Sequence, residues 1–323
     1  MTLVALAQTL GGFLFLFASG ELLLRGAVGL ARIFGLSPLL IGLTVVAAVT
    51  SMPELMVTVT AGLGGLTDIG VGNVIGSNIA NILLILGAAA VIRPIPTHPR
   101  MVRRDAGAVL IATALFIGFG VTGPLGWIHG AVMIALLGFY LWFSCRNEVA
   151  AVSRDETPGA EADLADLADL GWTPAGTGLA LGTVAAGAGG LVLGSDLLVE
   201  GAVTIARAAG ISESVIGLTL IAFGTSLPEL ATAVIASRHG HTALALGNAL
   251  GSNIFNILLV LGVLVMIAPV QLAAEVLRFD IWVMAGVVVA LILVMLSGRR
   301  ISRLEGGLFL ALYAAYIGIQ FTP

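Results

Sequence analysis

The chain has 323 residues, of which 59% are hydrophobic and only 10% charged, and its mean hydropathy is +1.10. A water-soluble domain needs far more charge on its surface, so that class is excluded and the chain is expected in a bilayer. The net charge of −4 carries little, because seven of the 18 acids fall between Glu148 and Asp169. All 14 basic residues are arginine and the single cysteine, Cys145, has no partner, so neither a disulfide framework nor a Cys/His metal cluster is expected, nor a nucleic-acid surface.

Apolar runs long enough to cross about 30 Å of hydrocarbon fall near residues 4–32, 38–63, 69–92, 105–122 and 126–144. The first lacks a basic leader, which makes it a span rather than a cleaved signal. Five further runs follow near 175–207, 213–237, 243–267, 277–297 and 304–321. The expected fold is an all-α polytopic membrane protein of about ten transmembrane helices. Its divisions are a first five-helix repeat over 1–145, an acidic linker over 146–173 and a second repeat over 174–323. The linker, with Pro158-Gly159 as a breaker, reads as solvated; its spacing fits no calcium-binding loop.

An odd number of spans per half makes the second repeat enter from the opposite side, so the halves are expected to be inverted. Arginine placement is consistent with this. With the N-terminus outside, Arg32, Arg93, Arg100, Arg103, Arg104, Arg146, Arg154, Arg238, Arg299, Arg300 and Arg303 face inward and only Arg207 and Arg278 face outward. Both termini are then external and the linker is cytoplasmic, in what reads as a prokaryotic inner membrane.

The chemistry sits in a duplicated stretch. Residues 42–55 read Gly-Leu-Thr-Val-Val-Ala-Ala-Val-Thr-Ser-Met-Pro-Glu-Leu, and residues 217–230 read Gly-Leu-Thr-Leu-Ile-Ala-Phe-Gly-Thr-Ser-Leu-Pro-Glu-Leu. Residues 72–84, beginning Gly-Asn-Val-Ile-Gly-Ser-Asn-Ile-Ala-Asn, are answered by Gly-Asn-Ala-Leu-Gly-Ser-Asn-Ile-Phe-Asn from Gly247. One offset takes Glu54 to Glu229 and Asn81 to Asn256, and the motif segments span 42–87 and 217–262.

A carboxylate at mid-helix costs about 2.5–3.5 kcal/mol to insert, and no arginine lies near the depth of Glu54 or Glu229. Two facing carboxylates are neutralised either by shared protons or by a bound cation, and the surrounding oxygens favour the cation. Thr50 and Glu54 share a helical face, as do Thr225 and Glu229. Pro53 and Pro228 lack the N–H that would bond the carbonyls of Val49 and Gly224, which are expected to become free ligands. Carboxylate, hydroxyl and carbonyl oxygens are what hard cations require. Ser77 with Asn81, and Ser252 with Asn256, share a face one turn apart, while Gly72 and Gly76, or Gly247 and Gly251, form a track for close helix approach.

These motifs resemble the α-repeats of the sodium/calcium exchangers, within the calcium/cation antiporter superfamily, along nearly the whole chain. The resemblance implies exchange of Na⁺ for Ca²⁺ through one mid-membrane cluster, with no cofactor. It implies that Glu54 and Glu229 hold calcium and also serve sodium, with Thr50 and Thr225 adding oxygens to the calcium site. Ser51, Ser77, Ser226 and Ser252, with the carbonyls of Ala47 and Ala222, would form flanking sodium sites, and Asn81 and Asn256 would close the centre. The chain departs from some relatives in carrying Asn256 rather than Asp, which argues against potassium dependence. It also has Val49 where the second copy has Gly224, so the first helix is expected to be less unwound.

Other readings stand beside this one. A proton/calcium antiporter of the same fold would replace sodium by protonation of the two Glu, and a passive cation channel would need no counter-ion. A membrane enzyme ranks last, since no nucleophile–base pair, phosphate loop or metalloprotease motif is present. Asn73, Asn78, Asn248 and Asn253 read as interhelical glue or loop caps. Glu21 and Arg25 can pair one turn apart, and His98, His129, His239 and His241 read as interfacial residues at helix ends.

Overall fold

The computed structural model describes residues 2–34, 36–152, 176–208 and 222–320, and these are almost entirely helical. A long helix α1 (Thr2–Phe34) is followed by α2 (Pro38–Thr50) and α3 (Met52–Leu63), which meet at a 42° bend. Then come α4 (Thr67–Ile92), α5 (Val102–Thr122) and α6 (Trp127–Val152). The second half runs α7 (Gly176–Ala208), α8 (Ala222–Thr225), α9 (Leu227–Arg238), α10 (Thr242–Ile267), α11 (Val276–Ser297) and α12 (Arg303–Gln320).

Local chemistry sets several of these ends. Ser37 accepts the N–H of Leu40 at 3.2 Å with Pro38 in the first turn, a standard helix start. Before α12, Glu305 accepts the Ser302 N–H at 2.7 Å while the Ser302 hydroxyl accepts the Glu305 N–H at 3.3 Å, a reciprocal cap. Gly65 (φ 74°) and Gly240 (φ 86°) lie just beyond α3 and α9 in the left-handed region that favours glycine, and the repeat offset relates them.

Among the described residues, seven helices are long and apolar enough to cross a membrane, and the bent α2–α3 pair makes an eighth candidate. The run near 213–237 lies partly outside the described residues, and α12 is an 18-residue helix with Arg303 and Glu305 in its first turn. Most of the acidic linker is also outside them, although α6 continues through Val152, beyond the expected boundary at Arg146.

The motif-bearing helices form the centre. Within their most apolar windows α4 and α10 are 72% and 78% buried, against 28–39% for the other single spans, so the outer helices present apolar faces such as Leu14, Trp127 and Leu293 to a lipid-like surrounding. The first helices of the two halves pack against each other through small residues at every seventh position, Ala5, Gly12, Ser19 and Gly26 on α1 against Ala180, Gly187, Gly194 and Gly201 on α7. A Cβ on Gly12 would lie 2.6 Å from the Leu198 nitrogen, and one on Gly187 2.5 Å from the Leu23 nitrogen. The helices run antiparallel, because Gly26 meets Val184 while Gly12 meets Leu198.

Contacts recur in exchanged form. Ile95–Pro96 pair with Arg300–Ile301, and Leu125 bridges to Val270; the repeat offset takes residue 95 to 270 and residue 125 to 300. Within each half a similar contact recurs: Tyr140 donates to Asp105 at 3.1 Å across α5 and α6, and Tyr316 donates to Asp280 at 3.0 Å across α11 and α12.

Candidate functional site

Glu54 stands in the first turn of α3 and Glu229 in that of α9, each after a serine that interrupts the helix, Ser51 (ψ 5°) and Ser226 (ψ 3°). The two carboxylates are 1% and 0% exposed and close enough to interact electrostatically. The breaks differ in detail. Ser51 N–H still reaches the Ala47 carbonyl at 3.0 Å, an α-type bond, whereas Ser226 N–H reaches the Phe223 carbonyl at 3.2 Å, the tighter 3₁₀ spacing. The Ala47 carbonyl therefore has one lone pair engaged, and Ala222 opens the described part of the second break.

The carbonyl of Gly224, expected to be left free by Pro228, is not free. Ser195 of α7 donates its hydroxyl to it at 2.6 Å. The equivalent position in α1 is Gly20, so Val49 has no such neighbour in the duplicated scheme. Gly224 also has a packing reason, since an added Cβ would collide with the Val199 side chain of α7. The glycine track of α10 packs as expected. An added Cβ at Gly251 would lie 2.5 Å from the Leu43 carbonyl oxygen, and one at Gly247 would meet that of Leu39. For Gly72 and Gly76 the repeat offset points to positions 214 and 218, which lie outside the described residues.

Oxygens from both halves converge on the carboxylates. Ser51 donates to Glu229 Oε1 at 3.4 Å, and Thr50 also lies against Glu229. Ser226 and Ser77 lie against Glu54, and their hydroxyls are 3.4 Å apart. Thr50 donates to Asn248 Oδ1 at 3.1 Å, and Thr225 to Asn73 Oδ1 at 3.4 Å. Asn81 donates to Asn253 Oδ1 at 3.0 Å. Asn81 and Asn256 each open a π-helical turn, Asn81–Leu86 and Asn256–Leu261, a distortion often found at functional sites.

Several buried oxygens here have no hydrogen-bond partner among the described residues: Glu54 Oε2, Glu229 Oε2, Asn81 Oδ1, Asn256 Oδ1 and Ser252 Oγ. Orphaned buried acceptors are costly, and the unpartnered oxygen on each of the two buried carboxylates is an acceptor that a cation can satisfy. The donor set is all oxygen, with no group of three or more His, Cys, Asp or Glu among the described residues, which suits a hard cation rather than a transition metal.

Thus the structure brings together Glu54, Glu229, Thr50, Thr225, Ser51, Ser226 and Ser77, with Asn81, Ser252 and Asn256 buried on the adjoining central helices. It also brings in Asn73, Asn248 and Asn253, read from sequence as glue. Their duplication was the available signal; Asn248 and Asn253 are buried and Asn73 is half-buried. Glu21 pairs with Arg25 at 3.0 Å and with His239 Nε2 at 2.9 Å on a partly exposed surface, away from this cluster.

A profile described as sodium/calcium exchanger protein matches residues 4–146 and 179–322. The chain is 35% identical to the inner membrane protein YrbG of Escherichia coli, over 98% of this chain and 95% of that one. It is 31% identical to the sodium/calcium exchanger MaX1 of Methanosarcina acetivorans, over 96% of each. The solved structure of the sodium-calcium exchanger NCX_Mj soaked with Na⁺ and Sr²⁺ superposes with a TM-score of 0.84 at 30% identity, covering 98% of this chain and 99% of that one. With both halves matched by the family profile and relatives aligned over nearly their full length, this chain belongs to the sodium/calcium exchanger protein family.

Proposed function

We propose that the protein is a secondary active antiporter that exchanges Na⁺ for Ca²⁺ by alternating access. The observation that carries this reading is the pair of fully buried carboxylates, Glu54 and Glu229, each approached by hydroxyls from the opposite half and left with unpartnered oxygens. Two such groups in a dry site require cationic charge, and Ca²⁺ or Na⁺ supplies it as cargo.

In this reading Glu54 and Glu229 hold calcium with Thr50 and Thr225. Ser51, Ser77, Ser226 and Ser252, with the carbonyls of Ala47 and Ala222, form sodium positions, and Asn81 and Asn256 close the centre. Competition of the two ions for the same carboxylates couples their fluxes, provided that loaded states undergo the access change and the empty state resists it. The exchanged contacts between halves and the antiparallel α1–α7 pair support ten helices in two inverted repeats. The orientation that fits the arginine bias places both termini outside a prokaryotic inner membrane.

Calcium-45 uptake into sodium-loaded proteoliposomes at clamped pH tests the proposal. Uptake that collapses when the sodium gradient is removed is the expected result. Uptake driven only by a proton gradient would replace sodium by protons, and flux needing no counter-ion would make the protein a channel.

A further inference from the structure

The first asparagine of each Gly-Asn motif, Asn73 and Asn248, is not needed as an ion ligand in the scheme above, yet each touches the site threonine of the other half. Asn73 Oδ1 accepts from Thr225 at 3.4 Å and Asn248 Oδ1 accepts from Thr50 at 3.1 Å. The repeat offset exchanges these two contacts, so the same device occurs twice.

The orientation of the Asn73 amide follows from its neighbours. Its Nδ2 donates to the backbone carbonyl of Glu54 at 3.3 Å and to Thr58 Oγ1 at 3.0 Å. A carbonyl can only accept, so the NH₂ group must face Glu54 and the oxygen must face Thr225. One amide thus ties the main chain of one site carboxylate to the hydroxyl opposite it. Thr58 is fully buried, and its counterpart in the second half is Ala233. Correspondingly, Asn248 Nδ2 has no partner among the described residues.

A hydroxyl has one proton and two lone pairs. Thr50 lies against both Asn248 Oδ1 and the Glu229 carboxylate. If its proton goes to the carboxylate, that proton occupies an oxygen the cation needs. If it goes to the neutral amide oxygen, the threonine lone pairs and the carboxylate charge both remain for the cation.

We propose that Asn73 and Asn248 are positioning residues that draw the hydroxyl protons of Thr225 and Thr50 away from the ion, with Thr58 locking the first of them. This rests on the reading of the cluster as the exchange site. The test measures KM for Ca²⁺ and kcat of sodium-driven uptake by the full chain in proteoliposomes. Asn73→Leu is expected to raise KM about fivefold to tenfold, roughly what one lost hydrogen bond to the site is worth. In a Thr225→Val background the same change is expected to add nothing further; Asn248→Leu and Thr50→Val should behave likewise.

Thr58→Val is expected to raise KM in the same direction and Thr58→Ser to restore it, which carries the test if Asn73→Leu fails to fold. Multiplicative effects of Asn73→Leu and Thr225→Val, or an unchanged KM in Thr58→Val, would overturn the proposal. Absence of sodium-driven uptake in the wild type would sink the exchanger reading instead. The same variants would then be scored by the thermal shift that Ca²⁺ alone produces, and a pattern matching that expected for KM supports the positioning role while an unchanged shift in Asn73→Leu overturns it.

Discussion

Replacing Glu229 by glutamine keeps the side chain's shape and removes one of two charges in a site where the carboxylates are 0% and 1% exposed. Breaking a buried charge pair costs about 3–5 kcal/mol, and each 1.4 kcal/mol is tenfold in affinity. Calcium affinity is therefore expected to fall by about two to three and a half decades, and sodium-driven calcium uptake with it. The fold should tolerate the change, because repulsion between Glu54 and Glu229 is relieved and Ser51 can still donate to the retained amide oxygen. Thermal unfolding separates these effects. At about 100 times its Kd, calcium stabilises a binding-competent protein by about 2.7 kcal/mol; a variant with Kd raised about 100-fold or more gains at most about 0.4 kcal/mol at that concentration. Glu229→Gln should therefore melt no earlier than the wild type without ions and should lose the calcium shift. Near-normal uptake together with a retained calcium shift would refute the assignment of the site.

Other outcomes follow from particular contacts. Ser195→Ala strips the Gly224 carbonyl of its donor where Pro228 has already removed the helical one, and thermal denaturation should show a loss of about 1–3 kcal/mol. Gly187→Val drives a side chain into the backbone of Leu23 and should destabilise by about 1–3 kcal/mol or more, whereas Gly182→Ala, with open space around it, should be near neutral in the same assay. His239→Gln removes a partly exposed contact to Glu21 and should change stability by less than about 1 kcal/mol. Cys145, exposed near the end of α6, should react with a membrane-impermeant maleimide in inside-out vesicles and not in intact cells; labelling from outside would reverse the proposed orientation.

The amino-acid sequence by itself determined that the chain is a membrane protein and that it is duplicated, and it pointed to Glu54 and Glu229, with their neighbouring hydroxyls and amides, as the proposed chemical centre. Those facts are local: apolar length, a repeat offset, and acids too costly to bury without use. Only the tertiary structure decided that Ser195 takes the Gly224 carbonyl, that glycines seven residues apart seat α1 on α7, and that the interhelical partner of Asn73 is Thr225. Each of these joins residues far apart in the chain, and helical periodicity states which face a side chain occupies without stating which helix that face meets. The duplication shows that a contact in one half has a twin, but partners across the two halves are settled by how the helices pack.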